Sequence, residues 1–203
     1  MKKSVINAGP VLLALYAALP ATQAAGSGLG SAKAGSYKVD SYHTQVGFSI
    51  SHFGFTNYYG LFSGAKGALQ LDPAKLSAAR LDISLQVDSI TTTVAQLTDE
   101  LKGDKWFDTA KYPTASFSST KVVPTVKGAT VTGNLTLHGL TKPVVLEVRF
   151  IGAGVNPIDK AYTVGFEATA TIKRSDFGVT TYVPAIGDEV QLNIAGAFEQ
   201  QQG

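Results

Sequence analysis

The sequence contains no cysteine, one methionine and one tryptophan in 203 residues. Without cysteine there is no disulfide framework, no thiolate metal site, no thiol nucleophile and no lipid attachment through sulfur. Charge is scarce too: Asp, Glu, Lys and Arg make up 16 % of the chain, against 44 % hydrophobic residues. That balance suits a chain that builds a sizeable core rather than a disordered one. Neither sign dominates. The formal charge of +2 rests on Lys2 and Lys3; without them the 17 cations fall to 15, facing 15 carboxylates. Net charge therefore gives no support for attraction to nucleic acid or to an acidic membrane. Long apolar runs are also missing. The stretch Val11–Leu19 has nine residues, and a membrane helix needs roughly 20.

That short stretch has its own meaning. Lys2 and Lys3 precede it, Pro20 ends it, and Thr22-Gln23-Ala24 offers small residues for cleavage. This order predicts a cleavable secretory signal over 1–24 and, in a cell with two membranes, a periplasmic product. Residues 25–36, rich in Gly, Ser and Ala, are expected to form a flexible linker. Gly26–Gly30 superficially resembles a phosphate loop, but no strand pattern precedes it and no helix pattern follows.

From Tyr37 the periodicity is two. Val46, Phe48 and Ile50 alternate with polar or small residues, as do Leu81, Ile83, Leu85 and Val87. The pattern recurs at Val131–Leu137, Val144–Phe150, Tyr162–Ile172 and Val190–Phe198. Alternation marks strands with one buried and one wet face. With Gly60–Asp72 and Ala115–Val123 the count reaches about eight strands, separated by Gly, Pro, Asn and Asp clusters. One helix is expected from Thr93 to about Lys102, with Val94, Leu97 and Leu101 on one face and Gly103 at its end. The fold class is therefore all-β: an eight-stranded antiparallel barrel with one short helix. Its outer faces carry Thr, Ser, Asp, Glu and Lys, which excludes a lipid-facing barrel.

Parity identifies the side chains that face inward. Phe48, Ile50, Phe62, Leu85, Phe117, Leu135, Phe166, Ala168 and Leu192 are expected to line the interior. Gly133, Ala168, Ala170 and Gly196 on these rows leave room inside or mark tight corners. His52 and Arg174 each end an apolar row, where a barrel mouth would lie. Arg174 is suited either to holding a polar head group or to pairing with Asp176, and the two roles are compatible. Trp106, Phe107 and Tyr112, on the connection after the helix, either plug the barrel end or line an entrance. His43 and His52 differ by an odd number and point to opposite faces of one uninterrupted strand, which does not suit a shared metal. His138, on the polar parity of its strand, is expected to be solvated. No nucleophile elbow, His-Glu-x-x-His or phosphate loop is present.

Several segments resemble the YceI-like family in order. They are Tyr37–His52, Gly60-Leu-Phe62, Leu101–Asp108, Tyr112-Pro113 with Phe117, Gly133–Thr141 and Arg174-Ser-Asp-Phe-Gly178. The resemblance covers about Tyr37 to Glu199, and residues 37–200 are expected to form one domain. It implies a bacterial secreted protein with a lipocalin-like barrel that binds polyisoprenoid lipids in an apolar tunnel, without catalysis, cofactor or metal. Trp106 stands where the family usually has Phe. The expected lipid contacts are the inward residues named above except Ala170 and the glycines, together with His52, Trp106, Phe107 and Arg174. Two alternatives remain: a binder of fatty acids or fatty amides, and an enzyme acting on a lipid head group through His43 or His52. Nothing in the sequence fixes the oligomeric state.

Overall fold

The alternating segments become β1 (Gly35–Val39), β2 (Gln45–His52), β3 (Thr56–Phe62), β4 (Lys66–Leu71), β5 (Arg80–Gln86) and β6 (Thr91–Thr92). They continue as β7 (Thr114–Pro124), β8 (Gly128–Leu137), β9 (Leu140–Val155), β10 (Tyr162–Lys173) and β11 (Ile186–Gln200). A single α-helix, α1 (Ala95–Lys102), sits between β6 and β7 among the described residues. The structure is a computed structural model that describes residues 29–201. The expected signal over 1–24 lies outside those residues.

All pairings are antiparallel. β1, β4, β5, β7, β8, β9, β10 and β11 follow one another round a ring, and β1 closes it by pairing Tyr37–Val39 with Phe198–Gln200. This is the eight-stranded barrel expected from the alternation. The long strand β11 serves two partners on one edge: β1 near its end, and β2 farther back, where Gln45–Ile50 face Val190–Ala195. β3 pairs with β2 and β6 with β3, so these segments extend β1, β4 and β5 past the ring. Gly60–Asp72, expected as one strand, is broken at Ser63–Ala65. Gly64 there has φ +69°, a conformation open to glycine at little cost.

Residues 29–36 are docked on the barrel, unlike the flexible linker expected for 25–36. Leu29–Ser31 form a 3-10 turn, Ala32 is buried, and Gly35 already belongs to β1. Tyr162 donates its hydroxyl to the Ser31 carbonyl at 3.0 Å. The composition signals few side chains, but Leu29 and Ala32 are enough to anchor the segment by apolar contact.

Three apolar clusters fill the fold. One, at the end where β1 begins, joins Tyr37, Leu69, Leu71, Phe150, Val164 and Phe198. A middle cluster contains Val131, Val144, Leu146, Ala168 and Phe177. The third, at the opposite end, gathers Phe62, Val87, Ile90, Leu101, Trp106 and Val179. Each large apolar side chain that is fully buried stabilises the fold by about 1.5–3 kcal/mol.

Candidate functional site

The barrel encloses an apolar cavity of about 220 Å³. Of the residues expected inside, Leu85, Phe117, Leu135, Phe166, Ala168 and Leu192 line it. They come from β5, β7, β8, β10 and β11, and alternation puts all of them on the inner face. Their row neighbours Leu81, Ile83, Val131, Leu146, Val148 and Ile194 share the wall. Ala170 is buried beside this wall but does not line the cavity.

Phe48, Phe62, Trp106 and Phe107 are brought together elsewhere, in the cluster that closes one end of the barrel. Phe62 stands 5.7 Å from Phe48 and 5.8 Å from Phe107, ring centre to ring centre. Trp106 is buried, and its indole N–H donates to Glu100 Oε1 at 3.1 Å. Of the three loop aromatics, Trp106 and Phe107 thus belong to a plug, and Tyr112 packs on His138 instead. Ile50 is half-buried between Tyr58 and Val190 and belongs to neither the plug nor the cavity wall.

The expected polar mouth at His52 and Arg174 needs correction. His52 is exposed, its ring edge-on to Phe53. Arg174 is only 5 % exposed, yet it does not reach the cavity. β10 ends at Lys173, and Arg174 opens a 3-10 turn, Arg174–Phe177, so strand parity no longer sets its direction. Its Nε donates to the Gly187 carbonyl, Nη1 to Val179 and Nη2 to Ile186, each at 2.9 Å. All three guanidinium nitrogens thus bond within the protein. Burial draws the guanidinium pKa below its ordinary value, and the charge of Asp188 opposes that shift. Asp176, the expected partner, is exposed. The nearby carboxylate is Asp188, which accepts from Ser175 N at 2.9 Å and Ser175 Oγ at 2.7 Å. Burial raises the Asp188 carboxyl, but these bonds and the charges of Arg174 and Lys173 outweigh it and hold the group below the usual carboxylate range.

The cavity opens at the other end. Leu29 and Leu76 line it there, each on a 3-10 turn, together with Arg80. A second depression, formed by residues 125–128 with Arg149 and Phe150, shares Leu29, Leu76 and Gly128 with the cavity. Arg80 holds its place by donating Nη1 to the carbonyls of Ala78 and Ala79. Sequence reasoning missed Leu29, Leu76 and Arg80. Three-residue turns have no periodicity, and the one available signal was a lone leucine in a Gly/Ser-rich segment.

The histidines are scattered. β2 begins at Gln45, so His43 sits in the preceding turn and the parity argument does not reach it. Its exposed ring lies 2.5 Å, Nδ1 to Oδ2, from Asp40. Asp40 also accepts from the backbone N–H of Tyr42 and His43. Burial raises the Asp40 carboxyl, but these bonds and the His43 ring prevail and lower it. The pair does not line the cavity, and His52 lies at the far end of β2. His138 is half-buried rather than solvated: its Nδ1 lies 3.0 Å from the Phe177 carbonyl, and Tyr112 packs on its ring. With Gly139 it makes the β8–β9 turn; both residues have positive φ, 51° and 75°, as a two-residue hairpin of this hand requires.

Comparison with known proteins agrees with this architecture. A UPF0312 protein of Yersinia enterocolitica is 37 % identical over 165 residues, covering 80 % of this chain and 85 % of its own length. The crystal structure of Burkholderia cenocepacia BcnA superposes with a TM-score of 0.70 at 27 % identity, covering 78 % of this chain and 98 % of that one. A polyisoprenoid binding domain from Saccharophagus degradans shares the fold, with a TM-score of 0.57 at 14 % identity over 83 % of this chain and all of its own. Residues 37–198 match the YceI-like domain, and the chain belongs to that family.

Proposed function

We propose that this protein binds a long-chain isoprenoid lipid, of polyprenyl phosphate or isoprenoid quinone type, and sequesters or carries it in the periplasm. The carrying observation is the apolar cavity inside a closed barrel, walled by Leu85, Phe117, Leu135, Phe166, Ala168 and Leu192. The Saccharophagus degradans domain of the same fold is a polyisoprenoid binding domain, which supports the ligand class. Affinity comes from apolar burial, at about 25 cal/mol per Å² before the costs of association. A strand of ten residues such as β8 reaches about 33 Å, room for an extended chain. The polar end of the lipid lies toward Leu29, Leu76 and Arg80, since the opposite end is plugged by Trp106 and its neighbours. The reading is of a binder rather than an enzyme: neither His43 nor His52 faces the cavity, and general acid–base catalysis needs a group within reach of the substrate.

The test is mass spectrometry of lipid extracted from protein purified without detergent, beside the variant Ala168→Trp. An isoprenoid in the parent and a reduced load in the folded variant support the reading. A fatty acid or fatty amide in the extract would replace the ligand class, and an equal load in both proteins would move the site out of the barrel. Export is tested by sequencing the N-terminus of protein from its native host. A chain beginning near Ala25 supports it, and Met1 in a cytoplasmic product overturns it.

A further inference from the structure

We infer that the rim around the cavity mouth is a docking surface for an anionic lipid bilayer. The inference rests on the lipid-binding reading for its purpose, but the surface is a separate feature. Two turns border the mouth end. The β7–β8 turn presents Val126, fully exposed at 102 %, next to the depression that joins the cavity. The β9–β10 turn presents Ile158 at 90 % exposure, with Val155 at 60 % behind it. The second turn is braced. Asn156 Nδ2 donates to Asp159 Oδ2 at 2.8 Å, and Asn156 Oδ1 accepts from Ile158 N at 3.0 Å. A braced turn that holds isoleucine in water gives the fold nothing in return, whereas a bilayer would bury it.

Charge selects the kind of surface. Lys75 and Lys127 are exposed at this end and, among the described residues, have no carboxylate within ion-pair distance. The neighbouring Arg149–Glu167 pair neutralises itself, and Asp72 and Asp159 are each occupied by their own turns. The near-balance of net charge thus conceals a local excess of cations around the opening. Exposed apolar tips flanked by free lysines suit the interface of an anionic membrane.

The opposite end is the obvious competitor, because Phe53, Phe55 and Tyr182 are exposed there. It does not serve. Its carboxylates, Asp104, Asp108, Asp176 and Glu189, alternate with Lys105, Lys111 and Lys173, so charge alone does not choose between the ends. The decisive difference is that this end is sealed from the cavity by the Trp106 cluster. At the mouth, by contrast, a lipid tail can pass from bilayer to cavity without crossing water.

The test is cosedimentation of the protein with vesicles of phosphatidylcholine alone or mixed with phosphatidylglycerol. Salt-sensitive binding to the mixed vesicles is expected. Val126→Asp with Ile158→Asp should abolish it, and Lys75→Gln with Lys127→Gln should weaken it about fivefold per lysine. Phe55→Asp should leave it unchanged. All five positions are exposed, so thermal melts should match the parent; if the aspartate variant is unfolded, the glutamine variant decides. No binding by the parent, undiminished binding by the mouth variants, or loss confined to Phe55→Asp overturns the proposal. Extracted cargo is measured in parallel. Cargo without docking overturns this inference alone, and docking without cargo overturns only the lipid-carrier reading.

Discussion

Arg174 lies against Trp106, its guanidinium carbon 5.4 Å from the ring centroid, and the pair closes the barrel at the end away from the mouth. Trp106 comes from the segment after α1, and Arg174 from the turn after β10. The contact therefore ties two distant stretches of chain over the plug. The same guanidinium fastens the 179–187 segment by three carbonyls.

Arg174→Met removes those donors and leaves three carbonyls facing an apolar stem. A loss of about 3–5 kcal/mol in unfolding free energy is expected, since bonds to a charged group are strong and orphaned buried acceptors are costly. Urea denaturation measures it directly. The folded fraction should keep its lipid, because Arg174 does not line the cavity. A variant of unchanged midpoint with impaired lipid binding would return Arg174 to the head group.

Face was legible in the sequence; end was not. Parity placed Phe117, Phe166 and Leu192 correctly because each strand has one dry and one wet side. It said nothing about which end of the barrel is sealed, which depends on the contact between residues 106 and 174. Parity misplaces Arg174 because a 3-10 turn replaces the strand at that residue, and because its partners are carbonyls, which any residue supplies. The break at Gly64 is not legible because apolar alternation resumes on both sides of it.

The sequence alone leaves Gly133 either making room inside the barrel or marking a corner. Its space is in fact taken by the Phe117 ring, which crosses from β7 onto β8. A Cβ at Gly133 would run into that ring and come within 2.6 Å of the Ser118 carbonyl. Gly133→Ala should therefore cost about 1–3 kcal/mol by overpacking and push Phe117 into the cavity, lowering the lipid load. Thermal melts and lipid extraction on the same preparation check both effects. Unchanged stability would mean the ring moves freely.

Asp40 makes stability depend on acid. Its carboxyl is lowered in the folded protein, chiefly by the His43 ring and two backbone N–H groups working against burial. A depressed folded pKa gives a contribution that is fully present above the unfolded value, about 3.9. It is lost as pH falls below that value and through the folded pKa. Asp40→Asn keeps an acceptor for the turn but cannot titrate. Its stability should fall less steeply than the parent's in that acid range, as followed by urea midpoints at stepped pH. Parallel curves would show that Asp40 titrates alike in both states.

Leu29 and Leu76 stand on separate turns at the cavity mouth, and both line it. They are held by short local segments outside the strand ladder, and each packs with part of its surface on the edge of the core cluster at this end. The rest of that surface faces the cavity and whatever occupies it. Replacing both with serine should leave the melting temperature within a few degrees of the parent. A bound lipid, however, would lose apolar cover worth about 1.5–3 kcal/mol per leucine if fully buried. Each 1.4 kcal/mol is a factor of ten in affinity, and such losses fall mainly on the dissociation rate. Release of a fluorescent polyprenyl lipid to acceptor vesicles should therefore speed up by at least about tenfold. The matching change at the plugged end, Phe107→Ser, should not accelerate release beyond what its own destabilisation explains. If it does so while the mouth variant releases at the parental rate, the lipid leaves through the Trp106 end.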